Sequence, residues 1–254
     1  MTPKPSGACK PAYTKTKLLP EAEEQALETI LPYVKYIAAG VGGKPTIQIS
    51  GANLQIVNGE GLTASTNGAG NLIIGYDEAP GRQSGSHSIL LGNEQALTSY
   101  GGILGGSRND LSAPFSVAFG EGNRAEGTAS SVLGGSLNLA QGAFSSVSAG
   151  TENSASGEWA SVSGGQGNES SGSRSAVSGG KQGVAGAEGA SVAGGRFNKA
   201  SAPFNTISGG FENVASLFSY ASVSGGYKNE AAGRYSSILG GKEQVTAGEY
   251  ETSP

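Results

Sequence analysis

The sequence predicts a mainly β chain, a parallel β-roll or β-helix solenoid with coils of about 15 residues, entered through a short N-terminal coiled-coil helix. Three observations predict it. First, a branched residue returns at a fixed interval: Val117, Val132, Val147, Val162, Val177, Val192 and Ile207 are each fifteen apart, Val223 follows after sixteen and Ile238 after fifteen. Second, glycine takes 44 of 254 positions while charged residues reach only 14% and aromatics 7%, a bias expected of repeat or fibrous chains rather than of a compact enzyme. Third, Leu27, Ile30, Val34, Ile37 and Val41 are spaced by three and four, as in a coiled-coil seam.

Residues 1–17 read as a flexible Pro/Lys arm. Lys4, Lys10, Lys15 and Lys17 stand there without an acid. Such a segment is expected to dock onto a particle or scaffold protein. Cys9 is the only cysteine, so an intrachain disulfide is excluded, and the thiol is either free or cross-links chains. The arm has no apolar core of signal-peptide length, and no stretch approaches the roughly 20 apolar residues of a membrane helix. The expectation is a soluble chain with no signal peptide and no membrane insertion. The net charge of −4 gives no reason to expect a nucleic-acid partner.

Residues 18–43 read as a helical coiled-coil stem. Pro20 and the glutamates after it suit the start of a helix. Pro32 lies off the seam and is expected to kink the helix. The glycines in 40–43 stop it. Residues 44–71 then read as a small β collar, with strands in "KPTIQIS" and "NLQIV" and turns at Asn58-Gly59 and Asn67-Gly68.

Residues 72–254 read as the repeat shaft and tip. Upstream of Val117, Ile89 and Ile103 keep a step of fourteen. Each unit reads roughly S-V-S-G-G-x-x-N-x-A-x-G-x-x-S. Val117, Val132, Val147, Val162, Val177, Val192, Ile207, Val223 and Ile238 are the expected coil core. Asn123, Asn138, Asn153, Asn168, Asn198, Asn213 and Asn229 are the expected turn or ladder residues, because asparagine holds left-handed turns and stacks as amide ladders. Fixed and variable positions alternate with period two, so each coil is expected to hold two short strands joined by glycine turns. Some twelve coils would stack into a rod on the order of 55–60 Å long. One Val and one Ala per coil are a thin core against the entropy of ordering fifteen residues. Side-by-side association is therefore expected, with a parallel homotrimer as the favoured form.

The units "GSLNLAQGAFSSVSAG" and "GTENSASGEWASVSGG" resemble the head repeats of trimeric autotransporter adhesins, which read approximately G-x-x-S/N-x-A-x-G-x-x-S-x-A-I/V-G. The resemblance covers about residues 72–250. It implies parallel β-rolls trimerised side by side. The chain also resembles repeat shafts of phage and actinobacterial fibre-like proteins, through "GKPTIQISGANLQIVNGEG" followed by "GSHSILLG". It departs from the autotransporter pattern in its fifteen-residue period, with the doubled glycine as the extra residue. The expected role is a structural, adhesive fibre, attached to a virion by its N-terminus and contacting a cell-surface glycan or protein. The alternatives are a bacterial extracellular or surface adhesin and a polysaccharide-degrading tailspike.

Enzyme chemistry is not expected, nor any cofactor or metal. His87 is the only histidine, and Asp77 and Asp110 are the only aspartates, which excludes the aspartate-bearing calcium repeat. Glu121, Glu126, Glu152, Glu158 and Glu169 sit mostly at variable positions and could serve a tailspike only if stacking paired two of them. Phe144, Trp159, Phe204, Tyr220 and Tyr235 each stand three before the branched residue, a row read as interchain packing. Phe211, Phe218 and Tyr227 lie off that row near the sixteen-residue step and are the candidate contact surface.

Overall fold

A computed structural model describes residues 20–254. The arm, with Cys9 and its lysines, lies outside the described residues. The chain divides into two compact units at Gln55 and Ile56.

In the first unit the helix covers only Glu21–Ile30. Val34–Ile37 is a β-strand, paired antiparallel with Thr46–Ile49 in the register Val34↔Ile49 and Ile37↔Thr46. Val41 falls in a short turn, Val41–Gly43, with Gly42 and Gly43 at positive φ. The coiled-coil stem is thus corrected. Leu27 and Ile30 lie on the helix, but Val34 and Ile37 are strand residues and Val41 is in a loop. The reason is physical. Ten residues make a marginal helix, and Pro32 lacks the donor needed to carry it further. The next four residues, Val-Lys-Tyr-Ile, suit an extended backbone, and Thr46–Ile49 supplies the missing partners. The Thr46 hydroxyl locks the connection: it accepts from the Val41 N–H at 3.0 Å and donates to the Lys44 carbonyl. A collar beginning at 44 would cut this hairpin in two, and residues 53–57 form no strand.

The second unit is a parallel β-solenoid of about 12 turns. One sheet has 13 strands and the other has 11, and within each every strand pairs with the equivalent strand one coil away. Residues 58–71 precede the first coil and are tied to it by polar groups. The Asn58 N–H donates to His87 Nε2 at 3.2 Å, and His87 Nδ1 lies 3.0 Å from the Thr63 carbonyl. A neutral ring protonated on Nδ1 satisfies both. The Asn71 amide spans Ser88 N and the Gly85 carbonyl.

The first coil, from Leu72 to Ile89, has a step of seventeen residues, and the next coils have fourteen. Their strands Ile89–Asn93, Ile103–Ser107 and Val117–Glu121 are five residues long and pair continuously. From Ser131 onward the strands shrink to two residues, such as Ser131–Val132 and Ser146–Val147. One added residue between the inward side chain and the asparagine causes the change; the doubled glycine does not, since Gly105-Gly106 already lie within the continuous strand Ile103–Ser107. The added residue breaks the strand after two positions, and pairing resumes beyond it as a single bridge. A column of such bridges runs Ser136, Thr151, Gln166, Lys181, Arg196, Phe211, Tyr227, Lys242. Each coil therefore has two strands and a third point of pairing, where the sequence predicts two strands alone. At Gly135 the backbone has φ 80°, and a Cβ there would collide with the Gly150 carbonyl. Glycine is needed at this corner for conformation and for close stacking alike.

The inward residues follow the coil length. Val132, Val147, Val162, Val177, Val192, Ile207, Val223 and Ile238 are buried to 1% or less, facing Ala140, Ala155, Ala185, Ala200, Ala215 and Ala231. Val117 is corrected: it pairs with Ser131 and is half-buried, while its neighbour Ala118 pairs with Val132 and points inward. Upstream, Leu90 and Leu104 are buried rather than Ile89 and Ile103. The inward step is thus fourteen up to Val132 and fifteen afterwards, with one step of sixteen between Ile207 and Val223. Period alone leaves a one-residue ambiguity, because adjacent positions in these strands are both apolar.

Candidate functional site

Asn123, Asn138, Asn153, Asn168, Asn198, Asn213 and Asn229 are all buried, together with Asn109. Each amide does one job three ways. Asn153 Oδ1 accepts from the Asn168 N–H at 2.9 Å, while its Nδ2 donates to the Ala149 and Gly165 carbonyls. The column begins at Gln95, whose Oε1 accepts from the Asn109 N–H, and ends at the Gln244 N–H. It is broken once. Gly183 occupies an asparagine position, donating its N–H to Asn168 Oδ1 below but offering no side-chain acceptor to Asn198 above. Among the described residues the Asn198 N–H has no acceptor. This column satisfies backbone groups that would otherwise be buried and unpaired.

The outer surface is organised by two left-handed corners per coil. One includes Arg108, Leu137, Glu152, Gln182, Phe197, Glu212 and Lys228, all at φ between 52 and 59°. The other includes Phe115, Phe144, Trp159, Phe204, Tyr220, Tyr235 and Tyr250. Bulky residues seldom adopt this backbone, which costs roughly 1–2 kcal/mol per residue. Ring stacking offsets part of that cost. Phe144 and Trp159 stack at 4.2 Å and 9°, and Phe204, Tyr220, Tyr235 and Tyr250 form a continuous stack with spacings of 5.1–5.2 Å. Within a single chain the aromatic row therefore packs on itself.

The candidate contact residues separate. Phe211 and Tyr227 lie on the bridge column and stack at 5.5 Å and 5°. Phe197 meets Phe211 edge-on at 5.7 Å, Arg196 lies 4.7 Å from the Phe197 ring centroid, and Lys228 and Lys242 lie over Tyr227. Phe218 is corrected out of this cluster. It follows Leu217 in the sixteen-residue coil, in the turn leading to Tyr220. The extra residue therefore bulges at the tyrosine corner, not at the Phe211 face.

Several glutamates are engaged. Glu121 pairs with Arg108, Glu126 with Arg124, and Glu158 accepts from the Trp159 indole at 3.1 Å. Among the described residues no group of three or more His, Cys, Asp or Glu side chains could hold a metal ion, and no helix is long and apolar enough to cross a membrane.

Two clefts open on the first corner column, and sequence reading missed both. Arg108, Glu121, Gly122, Ser136 and Leu137 line one of about 440 Å³, and Glu152, Gln166, Gly167, Lys181, Gln182 and Arg196 line another of about 220 Å³. Each lies where a glycine, Gly122 or Gly167, replaces the corner side chain. The signal was present in the repeat: the position just before the asparagine carries a side chain at Leu137, Glu152 and Phe197 but none at 122 and 167. No protein-family model matches the chain, and no curated protein matches it in sequence.

Proposed function

We propose that this chain is a structural and adhesive fibre, assembled as a parallel homotrimer, attached to a virion through its N-terminal segment, and contacting a host surface along its solenoid. The observation that carries the reading is apolar surface that one chain leaves uncovered. Leu72 and Ile74, with Ile89 on the next strand, lie 36–56% exposed in the outer face of the first sheet. In the N-terminal unit, Tyr36, Ile47 and Ile49 are 43–65% exposed on a two-stranded hairpin. Such a hairpin is marginal in water without further packing. Side-by-side copies of the chain would cover both surfaces. Parallel chains present the same patches at the same height, as closed cyclic symmetry requires. The likeness to autotransporter heads and fibre shafts supports the same assembly.

Mass photometry or sedimentation equilibrium tests it. A particle of three times the 25.2 kDa chain supports the trimer; a monomer at all concentrations defeats it. Attachment is tested by deleting residues 1–17: loss from purified particles with an intact trimer supports a docking arm, and full retention removes it.

A further inference from the structure

We infer that the cleft at Gly167 binds an anionic polysaccharide running along the solenoid axis. The inference rests on the adhesive reading above and gives it a ligand class. Lys181 and Arg196 are successive residues of the bridge column, one coil apart, which is about 4.8 Å. Both are exposed, and among the described residues neither is ion-paired. Gln166 and Gln182 present amides on the same cleft and Glu152 presents a carboxylate. A Cβ at position 167 would lie 3.3 Å from Gln182 Cγ, so this side chain leans over the space the glycine leaves. Two cations suit carboxylate or sulfate groups, and the amides and Glu152 suit sugar hydroxyls. The Phe197–Phe211 pair lies beside Arg196, whose guanidinium rests 4.7 Å from the Phe197 ring centroid. The cations repeat once per coil, a spacing commensurate with one pyranose unit of an extended chain.

Two contrasts narrow the ligand. The cleft at Gly122 has the same backbone origin, but its Arg108 is paired with Glu121 and it is flanked by the exposed Leu137. Its charges are already compensated, so it has no comparable demand for an anion. A single-stranded nucleic acid would need free aromatic faces for its bases. Here Phe211 and Tyr227 stack on each other, which occupies the faces between them.

The test is calorimetry of the full chain with polygalacturonate, neutral dextran and oligo(dT) at about 0.15 M salt. The expected result is binding of polygalacturonate at least about tenfold tighter than of either other polymer. Lys181→Gln with Arg196→Gln is expected to weaken it by about tenfold or more. Gly167→Gln keeps both cations and fills the cleft with the residue the same corner carries at Gln182, where φ is 53°; it is expected to weaken binding about fivefold. No polygalacturonate binding, equal binding of dextran or oligo(dT), or an unchanged affinity in Gly167→Gln overturns the inference. Should Gly167→Gln fail to fold, the double variant decides alone, and unchanged affinity there overturns it equally. Each outcome is read on a chain whose oligomer mass is measured in parallel, so failure of the ligand and failure of the fibre assembly are told apart.

Discussion

The solenoid contains two kinds of coil. From Ile89 to Ser130 a coil has fourteen residues and a five-residue strand in the first sheet, with leucine inward from both sheets in the first two: Leu90 with Leu97, then Leu104 with Leu111. From Ser131 a coil has fifteen, two-residue strands with a separate bridge, and Val147-type residues facing Ala155-type residues. The coil Val117–Ser130, with Ala118 and Ala125 inward, joins them. The amide column runs through both regions. One inserted residue thus changes strand length and the way a face closes, without changing the backbone ladders or the buried asparagines. The two regions share polar satisfaction and differ in how much apolar volume each coil encloses.

Substitutions can break or sharpen that contrast. The largest effect is expected from Leu104→Ala, about 2–5 kcal/mol by urea titration, since it leaves a cavity in the leucine cluster. Next is Asn153→Ala. It strips the Asn168 N–H and the Ala149 carbonyl of partners and removes a second donor from the Gly165 carbonyl, for a loss of about 2–4 kcal/mol. Asn123→Ala, in the fourteen-residue region, should cost the same; a clear difference would show that the column is not shared equally. Val177→Ala removes two buried carbons and should cost about 2 kcal/mol. If it matched Leu104→Ala, the distinction between the two cores would fail.

Gly183→Asn should do the reverse. Its φ lies outside the left-handed region, and an added Cβ meets Asn168, Val192 and Val177 at 3.2–3.6 Å. Restoring the column there is expected to raise stability by about 1 kcal/mol and slow amide exchange at Asn198. No change in that exchange would show that the gap is already satisfied.

The smallest effect concerns Lys228. Its hydrogen bond to Glu212 raises its pKa above the ordinary 10.5, with Tyr227 adding to the shift. A raised lysine pKa contributes stability fully below pH 10.5, lost as pH rises through the folded value. NMR titration of the lysine ammonium should show the upward shift in the native chain and its reduction in Glu212→Gln. The side chain is solvated, so global stability should barely move.

Much of this was legible in the chain itself. A fifteen-residue repeat with Val, Asn, Ala and Gly at set offsets dictates a stacked coil, because identical units make identical backbone contacts. It also singled out Asn138 and its equivalents as turn or ladder residues; the coils make them a ladder, and the left-handed corner falls on the residue before each, such as Leu137. Tertiary structure decided the rest. Whether Val117 or Ala118 points inward depends on pairing with Val132, a contact made one coil away. The fate of Val34 and Ile37 depended on Thr46–Ile49, which offered a sheet partner where a helix ended by Pro32 could offer none. The clefts depended on left-handed corners that stack only after the coils close, so a glycine at 167 becomes a gap between Glu152 and Gln182. Sequence periodicity specifies what repeats along the axis. Which neighbour each residue meets across it is settled only when the coils stack.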